Sequence, residues 1–166
     1  MLKKILITLF EIALIALVIF GIVTALNSVS FAEDLWEVYV VCQPGDYVNV
    51  REKPSRKSEA VGYADAGDSV LIDGAEKNGY LRCYYIGEMG IGWIHKGYVV
   101  YDKPERVSIT AKVNSKARVA ARQNVNGKRR AWLKKNDEVK VYWLADEWCV
   151  TNKGFVKTKY LDVNGT

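Results

Sequence analysis

Gly92-Trp93-Ile94-His95-Lys96-Gly97-Tyr98-Val99 and Gly154-Phe155-Val156-Lys157-Thr158-Lys159-Tyr160-Leu161 carry glycine, aromatic, β-branched residue, tyrosine and aliphatic residue at the same offsets. Upstream, Val48-Asn49-Val50-Arg51 matches Val119-Ala120-Ala121-Arg122, and Gly67-Asp68-Ser69-Val70 matches Asn136-Asp137-Glu138-Val139. Tyr80 stands against Trp148. Order and spacing repeated over so long a stretch imply two related modules rather than one domain. The chain divides accordingly into a leader (residues 1–32), a first module (33–103) and a second module (104–166).

Working outward, each module is a series of short strands. Trp36 to Val41, Tyr47 to Arg51, Val61 to Tyr63, Ser69 to Ile72, Tyr80 to Tyr85 and Gly92 to Ile94 alternate with polar turns such as Gln43-Pro44-Gly45-Asp46. Val48 and Val50 point to one face, Asn49 and Arg51 to the other. Glu52 to Ser58 has no period and predicts a long polar loop. The second module repeats the series over Ile109 to Val113, Arg118 to Ala121, Ala131 to Leu133, Val139 to Leu144, Trp148 to Val150 and Gly154 to Val156, with a tight turn at Asn126-Gly127. Asp102 to Arg106, holding Pro104, is the joint. No long window keeps an apolar helical stripe, so the fold class expected is all-β: two small SH3-like β-barrels in tandem behind an N-terminal hydrophobic signal or anchor helix.

That leader is Lys3 and Lys4 followed by an apolar run from Ile5 to Leu26, broken only by Glu11, with Ser30-Phe31-Ala32 resembling a cleavage site. Two readings stay open: a signal peptide cut after Ala32, or an uncleaved membrane anchor, since a bilayer needs about 20 apolar residues. Glu11 weighs against the anchor. Both put the modules outside the membrane, in the extracellular space or cell envelope, with the lysines in the cytoplasm.

Charge divides the modules. Residues 33–105 hold 8 Lys/Arg and 13 Asp/Glu, whereas residues 106–166 hold 14 and 5. A basic second module either grips an anionic polymer or surface or contacts its acidic neighbour. Cys42, Cys83 and Cys149 form no disulfide framework; Cys42 and Cys83 either bridge or remain small buried apolar residues.

With Val48-Asn49-Val50-Arg51, Pro54-Ser55, Ser58, Val61-Gly62, Gly67, Val70, Gly79-Tyr80, Gly92-Trp93-Ile94 and Tyr98-Val99 in that order, the first module resembles the bacterial SH3 domain family. The second module resembles a divergent member, keeping Arg122, Val139, Trp148, Gly154-Phe155-Val156 and Tyr160-Leu161. It lacks the Pro-Ser pair and has Asn136 and Glu147 where the first has Gly67 and Gly79, which leaves its turn geometry open. The resemblance implies a binding role, commonly attachment to peptidoglycan or associated wall polymers.

The inventory of reactive groups points the same way. One histidine, His95, sits inside the closing motif, and no thiol, base and orienting group are spaced as a hydrolase needs. No metal-ligand cluster is evident, and no cofactor is expected. Asp137-Glu138 and Asp146-Glu147 are adjacent on strands and point apart. Trp93, Phe155, Tyr98 and Tyr160 are expected in the core. Tyr47, Tyr63, Tyr84 and Tyr85 lack matched partners and are the candidates for a ligand groove. Lys128, Arg129, Arg130, Lys134 and Lys135 are the candidates for holding an anionic wall polymer or lipid head groups. Nucleic acid meets the same electrostatic demand but is the weaker partner for an exported chain. The reading is therefore an exported binding protein of the cell envelope. Its alternatives are a membrane-tethered module that recognises another envelope protein, and the targeting subunit of a wall hydrolase on a separate chain.

Overall fold

Alternating burial along each strand organises the molecule. Val38 and Val40, then Val48 and Val50, then Val70 and Ile72 turn inward, while the residues between them are half-buried or exposed. A computed structural model describes residues 35–85 and 90–163, without the side chain of Tyr85. The first sheet contains β1 (Trp36–Val40), β2 (Tyr47–Arg51), β3 (Ala60–Asp65), β4 (Ser69–Lys77), β5 (Tyr80–Tyr85), β6 (Gly90–His95) and β7 (Val99–Val100), in the order β3-β2-β6-β5-β4-β1-β7. The second contains β8 (Glu105–Val113), β9 (Val119–Arg122), β10 (Arg129–Leu133), β11 (Glu138–Leu144), β12 (Trp148–Thr151), β13 (Gly154–Lys157) and β14 (Leu161–Asp162), in the order β10-β9-β13-β12-β11-β8-β14. The two orders are the same, and all pairings are antiparallel.

Each sheet has to curl, because residues from all seven of its strands meet in one core. In the first, Val38, Val48, Ala64, Ile72, Cys83, Ile94 and Val99 share a cluster; in the second, Val113, Val119, Leu133, Val141, Cys149, Val156 and Leu161 do. The result is two small β-barrels.

The duplication extends to turn chemistry. Gly67 N–H donates to Val40 C=O and Asn136 N–H to Val113 C=O, both at 2.8 Å. Asp68 and Asp137 each turn a carboxylate back to the N–H three residues earlier, at 2.9 and 2.7 Å. Gly67 has φ +97° and Asn136 φ +67°. Asparagine is among the few residues that tolerate this left-handed region, so the turn survives the loss of its glycine. Glu147 likewise keeps the contact of Gly79: their carbonyls accept from Thr158 and Lys96, each at 3.0 Å.

A third apolar cluster joins the barrels. Val41 and Val100 from the first meet Ala145, Trp148, Val150 and Phe155 from the second, flanked by Tyr39, Tyr98, Val125 and Trp143. Val125 N–H donates to Gly97 C=O at 2.8 Å, and Gln43 Nε2 to Thr151 C=O at 3.1 Å. Both sheets fall in one compact unit beginning at Trp36. Among the described residues, the ion pairs Glu52–Lys53, Asp73–Arg82, Glu76–Lys96 and Lys112–Glu138 all lie within a barrel and none crosses this seam. Apolar burial and backbone hydrogen bonds hold the modules together, and the opposite charges stay on their outer surfaces.

Three expectations are corrected. The fold class expected a hydrophobic helix ahead of the barrels; that segment lies outside the described residues, and the described chain is two seven-stranded sheets plus two three-residue 3-10 turns. None of its helices is long and apolar enough to cross a membrane. Hydropathy alone underlies the helix expected there, and hydropathy supplies no packing partner. The joint is also shorter than its composition suggests, since Glu105 and Arg106 already belong to β8 and Pro104 is buried. Finally, only the tyrosines of the closing motifs meet the expectation of aromatic cores: Tyr98 and Tyr160 pack against the barrel cores, whereas Trp93 and Phe155 do not. Ile94 and Val156 point inward, so their neighbours Trp93 and Phe155 face the other side. Phe155 is buried in the seam instead, and Trp93, Tyr98 and Tyr160 are half-buried.

Candidate functional site

Tyr47, Asn49 and Arg51 project from the outer face of β2, because Val48 and Val50 occupy the inner one. The register places Tyr47 opposite Asp65 and Asn49 opposite Tyr63, which makes Tyr47 and Tyr63 diagonal neighbours. Their ring centroids are 5.6 Å apart with the planes tilted by 59°, and they are 60% and 69% exposed. Two large aromatic side chains held together and left open to solvent are not needed by the core.

On one side of this pair, Tyr47, Asn49 and residues Ala60–Tyr63 border a shallow cleft of about 470 Å3. On the other, a groove of about 330 Å3 runs past Arg51, Arg56, Tyr80, His95 and Tyr98 to Gln123 and Asn124 of the second barrel. A third cleft, of about 360 Å3, continues along the seam from Tyr47 to Arg130. Tyr47 is common to all three.

The groove is built firmly. Arg51 Nη1 donates to Ser58 C=O at 2.6 Å, tying the 52–59 loop to β2. Lys53 N–H bonds Ser58 Oγ at 2.9 Å, Ser58 N–H bonds Ser55 C=O at 3.0 Å, and Asn78 Nδ2 bonds Pro54 C=O at 3.3 Å. The aperiodic loop is therefore ordered by its own serines and proline. His95 stands edge-on between Tyr80 and Tyr98, with centroids at 5.1 and 5.9 Å, and its Nδ1 accepts from Gly97 N–H at 3.1 Å. Burial, and then the charge of Lys96, lower its pKa from 6.5. The ring is neutral at pH 7, with its proton on Nε2 because Nδ1 is the acceptor.

The other tyrosine candidates lie elsewhere. Tyr84, on β5, is half-buried and donates to Asp73 Oδ2 at 3.0 Å beside Arg82, whose Nε reaches the same oxygen at 2.6 Å. Burial opposes ionisation of Asp73, but Arg82, the Ala75 N–H and Tyr84 outweigh it and hold the pKa below the ordinary carboxylate value. Tyr84 thus serves a polar network on a different strand pair. The side chain of Tyr85 lies outside the described residues. Arg56 lies in the polar loop that the sequence offers as one wall of the groove, whereas Arg51, Tyr80 and His95 were not among the candidates. Their one signal was the outward phase of Asn49 and Arg51 on the strand that carries Tyr47.

The five basic candidates are all exposed but do not form one cluster. Lys128 and Lys134 are separated by roughly 20 Å of extended chain. Arg129 lies 4.5 Å from the centroid of Trp132, a contact made possible by a bulge between Arg129 and Ala131 that shifts the strand's phase. Arg130 lines the seam cleft, and Lys134 and Lys135 occupy the turn after β10.

The thiols are not poised for chemistry. Cys42, Cys83 and Cys149 are free and buried, which leaves the possible Cys42–Cys83 bridge unformed. Burial pushes Cys42 up to about 11 and Cys83 to about 12, and it also raises Cys149. Among the described residues no group of three or more His, Cys, Asp or Glu is placed to hold a metal ion.

Residues 46–100 match the family described as the bacterial SH3 domain. Among solved structures, similarity is found to NlpC1 from Trichomonas vaginalis at 16% identity, over 80% of this chain and 47% of that one, with a TM-score of 0.35. NlpC2 from Trichomonas vaginalis is 18% identical over 77% of this chain and 48% of that one, with a TM-score of 0.32. The chain spans about half the length of either. No curated protein matches it. The first barrel, with Tyr47 and Tyr63 on its open face, is thus similar to the bacterial SH3 domain over nearly its whole length.

Proposed function

We propose that this chain is an exported, non-catalytic binding protein of the bacterial cell envelope, with peptidoglycan or an anionic wall polymer as its ligand. The observation that carries the proposal is the exposed Tyr47–Tyr63 pair flanked by Arg51, Arg56 and neutral His95, on a barrel that matches the bacterial SH3 domain. Members of that family commonly attach to wall glycopeptide. The chemistry of the groove suits such a ligand: tyrosine rings offer flat apolar area with a polar tip, Asn49 and His95 Nε2 offer neutral hydrogen bonds, and arginine attracts carboxylates. The second barrel is read as a divergent copy of the first, on the strength of its identical strand order and turn contacts. Buried, un-ionised thiols favour binding over covalent chemistry.

Location outside the membrane follows from the leader, in which two lysines precede an apolar run. Full-length chain mixed with purified wall sacculi is expected to sediment with them, without releasing dye from labelled wall material. Chain left in the supernatant refutes the ligand, and dye release refutes the absence of catalysis. Protease added to intact cells is expected to cleave the barrels; survival until lysis refutes the location.

A further inference from the structure

The second barrel repeats the groove with altered chemistry. Val119 pairs with Leu133 as Val48 pairs with Ala64, so Trp132 stands where the first barrel has Tyr63. Trp148 pairs with Lys157 as Tyr80 pairs with His95. Arg118, one residue before Val119, stands at the position of Tyr47, and Arg122 and Tyr160 keep the roles of Arg51 and Tyr98. These residues line a groove of about 320 Å3.

The replacements share a direction. Two tyrosines give way to tryptophans, and a third tyrosine and a neutral histidine give way to cations. The groove walls hold Arg118, Arg122 and Lys157 and no carboxylate. Arg122 Nη1 is partly used, donating to Gly127 C=O at 3.0 Å as Arg51 does to Ser58. Lys157 Nζ lies 5.5 Å from the centroid of Trp148, which borders the groove but is itself buried in the seam, so that Trp132 is the open ring of this site. Trp132 is 48% exposed although the barrel core is complete without it. Unlike the first groove, which Gln123 and Asn124 bound from across the seam, this one is lined by its own barrel alone.

Aromatic walls with unbalanced positive charge in a monosaccharide-sized groove select a ring that carries an anion. Flat apolar area takes the ring face, and guanidinium and ammonium groups take the charge. We propose that the second barrel binds an acidic saccharide, a sugar ring bearing a carboxylate or phosphate, in the groove formed by Trp132, Trp148, Tyr160, Arg118 and Lys157. This deepens the envelope-binding reading and rests on it for its biological setting, but it assigns the charged ligand to this groove rather than to the basic loop.

The test is titration of the full-length chain, kept in an uncharged polyoxyethylene detergent, followed by tryptophan emission and by calorimetry. Galacturonate hexamer probes the carboxylate source and phosphorylated mannopentaose the phosphate source; maltohexaose supplies rings without charge and tripolyphosphate charge without rings. At least one acidic saccharide is expected to bind about tenfold or more tighter than either control, since one well-made contact of about 1.4 kcal/mol is worth that factor. Trp132→Ala and Arg118→Ala are each expected to weaken it by about tenfold, with melting temperature unchanged because both side chains are exposed. Tyr101→Ala, at an exposed tyrosine that lines none of the grooves described, is expected to leave it intact. Acidic saccharides no tighter than maltohexaose, tripolyphosphate as tight as the saccharides, or undiminished binding by Trp132→Ala would each overturn the proposal. Sacculus binding by the same preparation separates the two readings: walls bound without acidic saccharide refute this inference alone, and acidic saccharide bound without walls refutes only the envelope reading.

Discussion

The two barrels share strand order and hydrogen bonds at their turns, yet their equivalent grooves have diverged. The first is lined by tyrosines, a neutral histidine and two arginines and is bounded on one side by the second barrel; the second is lined by tryptophans, a tyrosine and three cations, all from its own barrel. The backbone contacts that build a barrel are the same in both: Val40 with Asp68 and Val113 with Asp137, Val41 with Tyr98 and Asn114 with Tyr160. Most positions facing inward vary among small apolar residues, such as Val38 and Ala111 or Ile94 and Val156, with Cys83 and Thr151 the one polar exchange between the equivalent strands β5 and β12, whereas positions facing the groove change size, polarity and charge. Core packing restricts what it touches, and the groove residues lie outside that restriction.

The largest effect that tests this comparison concerns the seam. Phe155 is fully buried there, so Phe155→Ala should cost roughly 3–5 kcal/mol. Because the cluster contains Val41 and Val100 as well, denaturation of the native chain should be a single transition monitored by fluorescence and circular dichroism. Two separate transitions would mean that the barrels fold independently and that the seam is incidental.

The equivalent turns supply a smaller and sharper contrast. A Cβ placed on Gly67 lies 2.8 Å from the Trp143 ring and at positive φ, so Gly67→Ala should destabilise by about 1–3 kcal/mol. Asn136→Gly leaves the same turn intact in the second barrel and should stay within about 1 kcal/mol of wild type. Equal losses would show that the two turns do not have the equivalence described.

A pH effect separates His95 from its counterpart Lys157. The folded pKa of His95 lies below 6.5, so the unfolded chain takes up the proton first. The stability contributed by the neutral ring is present above that value and is lost as pH falls through 6.5 toward the folded pKa. Melting temperature followed from pH 7.5 to pH 5 (roughly the window of imidazole titration) should fall more steeply for wild type than for His95→Gln. Parallel curves would remove the burial argument for His95.

Much of the first barrel was legible because its strands have strict alternation: Val48 and Val50 announce β2, and Gly92-Trp93-Ile94 announces β6. Doubt about the second barrel's turn arose from Asn136, since sequence shows a lost glycine but not that asparagine adopts the same φ. The expectation of aromatic cores failed at Trp93 and Phe155 for a physical reason: adjacent strand residues face opposite sides, and the smaller β-branched neighbour takes the inside. Tyr47 and Tyr63 were recognisable as surplus to the core, but Tyr84 looked the same in sequence. Its partner Asp73 lies 11 residues away, across a strand pair whose register carries an irregularity between Ile72 and Glu76. The seam was invisible, because contacts such as Gln43 with Thr151, 108 residues apart, have no local pattern.

The central claim is that Tyr47 and Tyr63 form the principal ligand surface, and a binding isotherm on purified wall sacculi tests it most directly. Both rings are exposed, so replacing them with alanine should leave the melting temperature within about 0.5 kcal/mol equivalent of wild type. The Tyr47→Ala, Tyr63→Ala double variant should bind about tenfold more weakly, the factor expected from losing two aromatic contacts. An isotherm superimposable on that of the wild type would contradict the account.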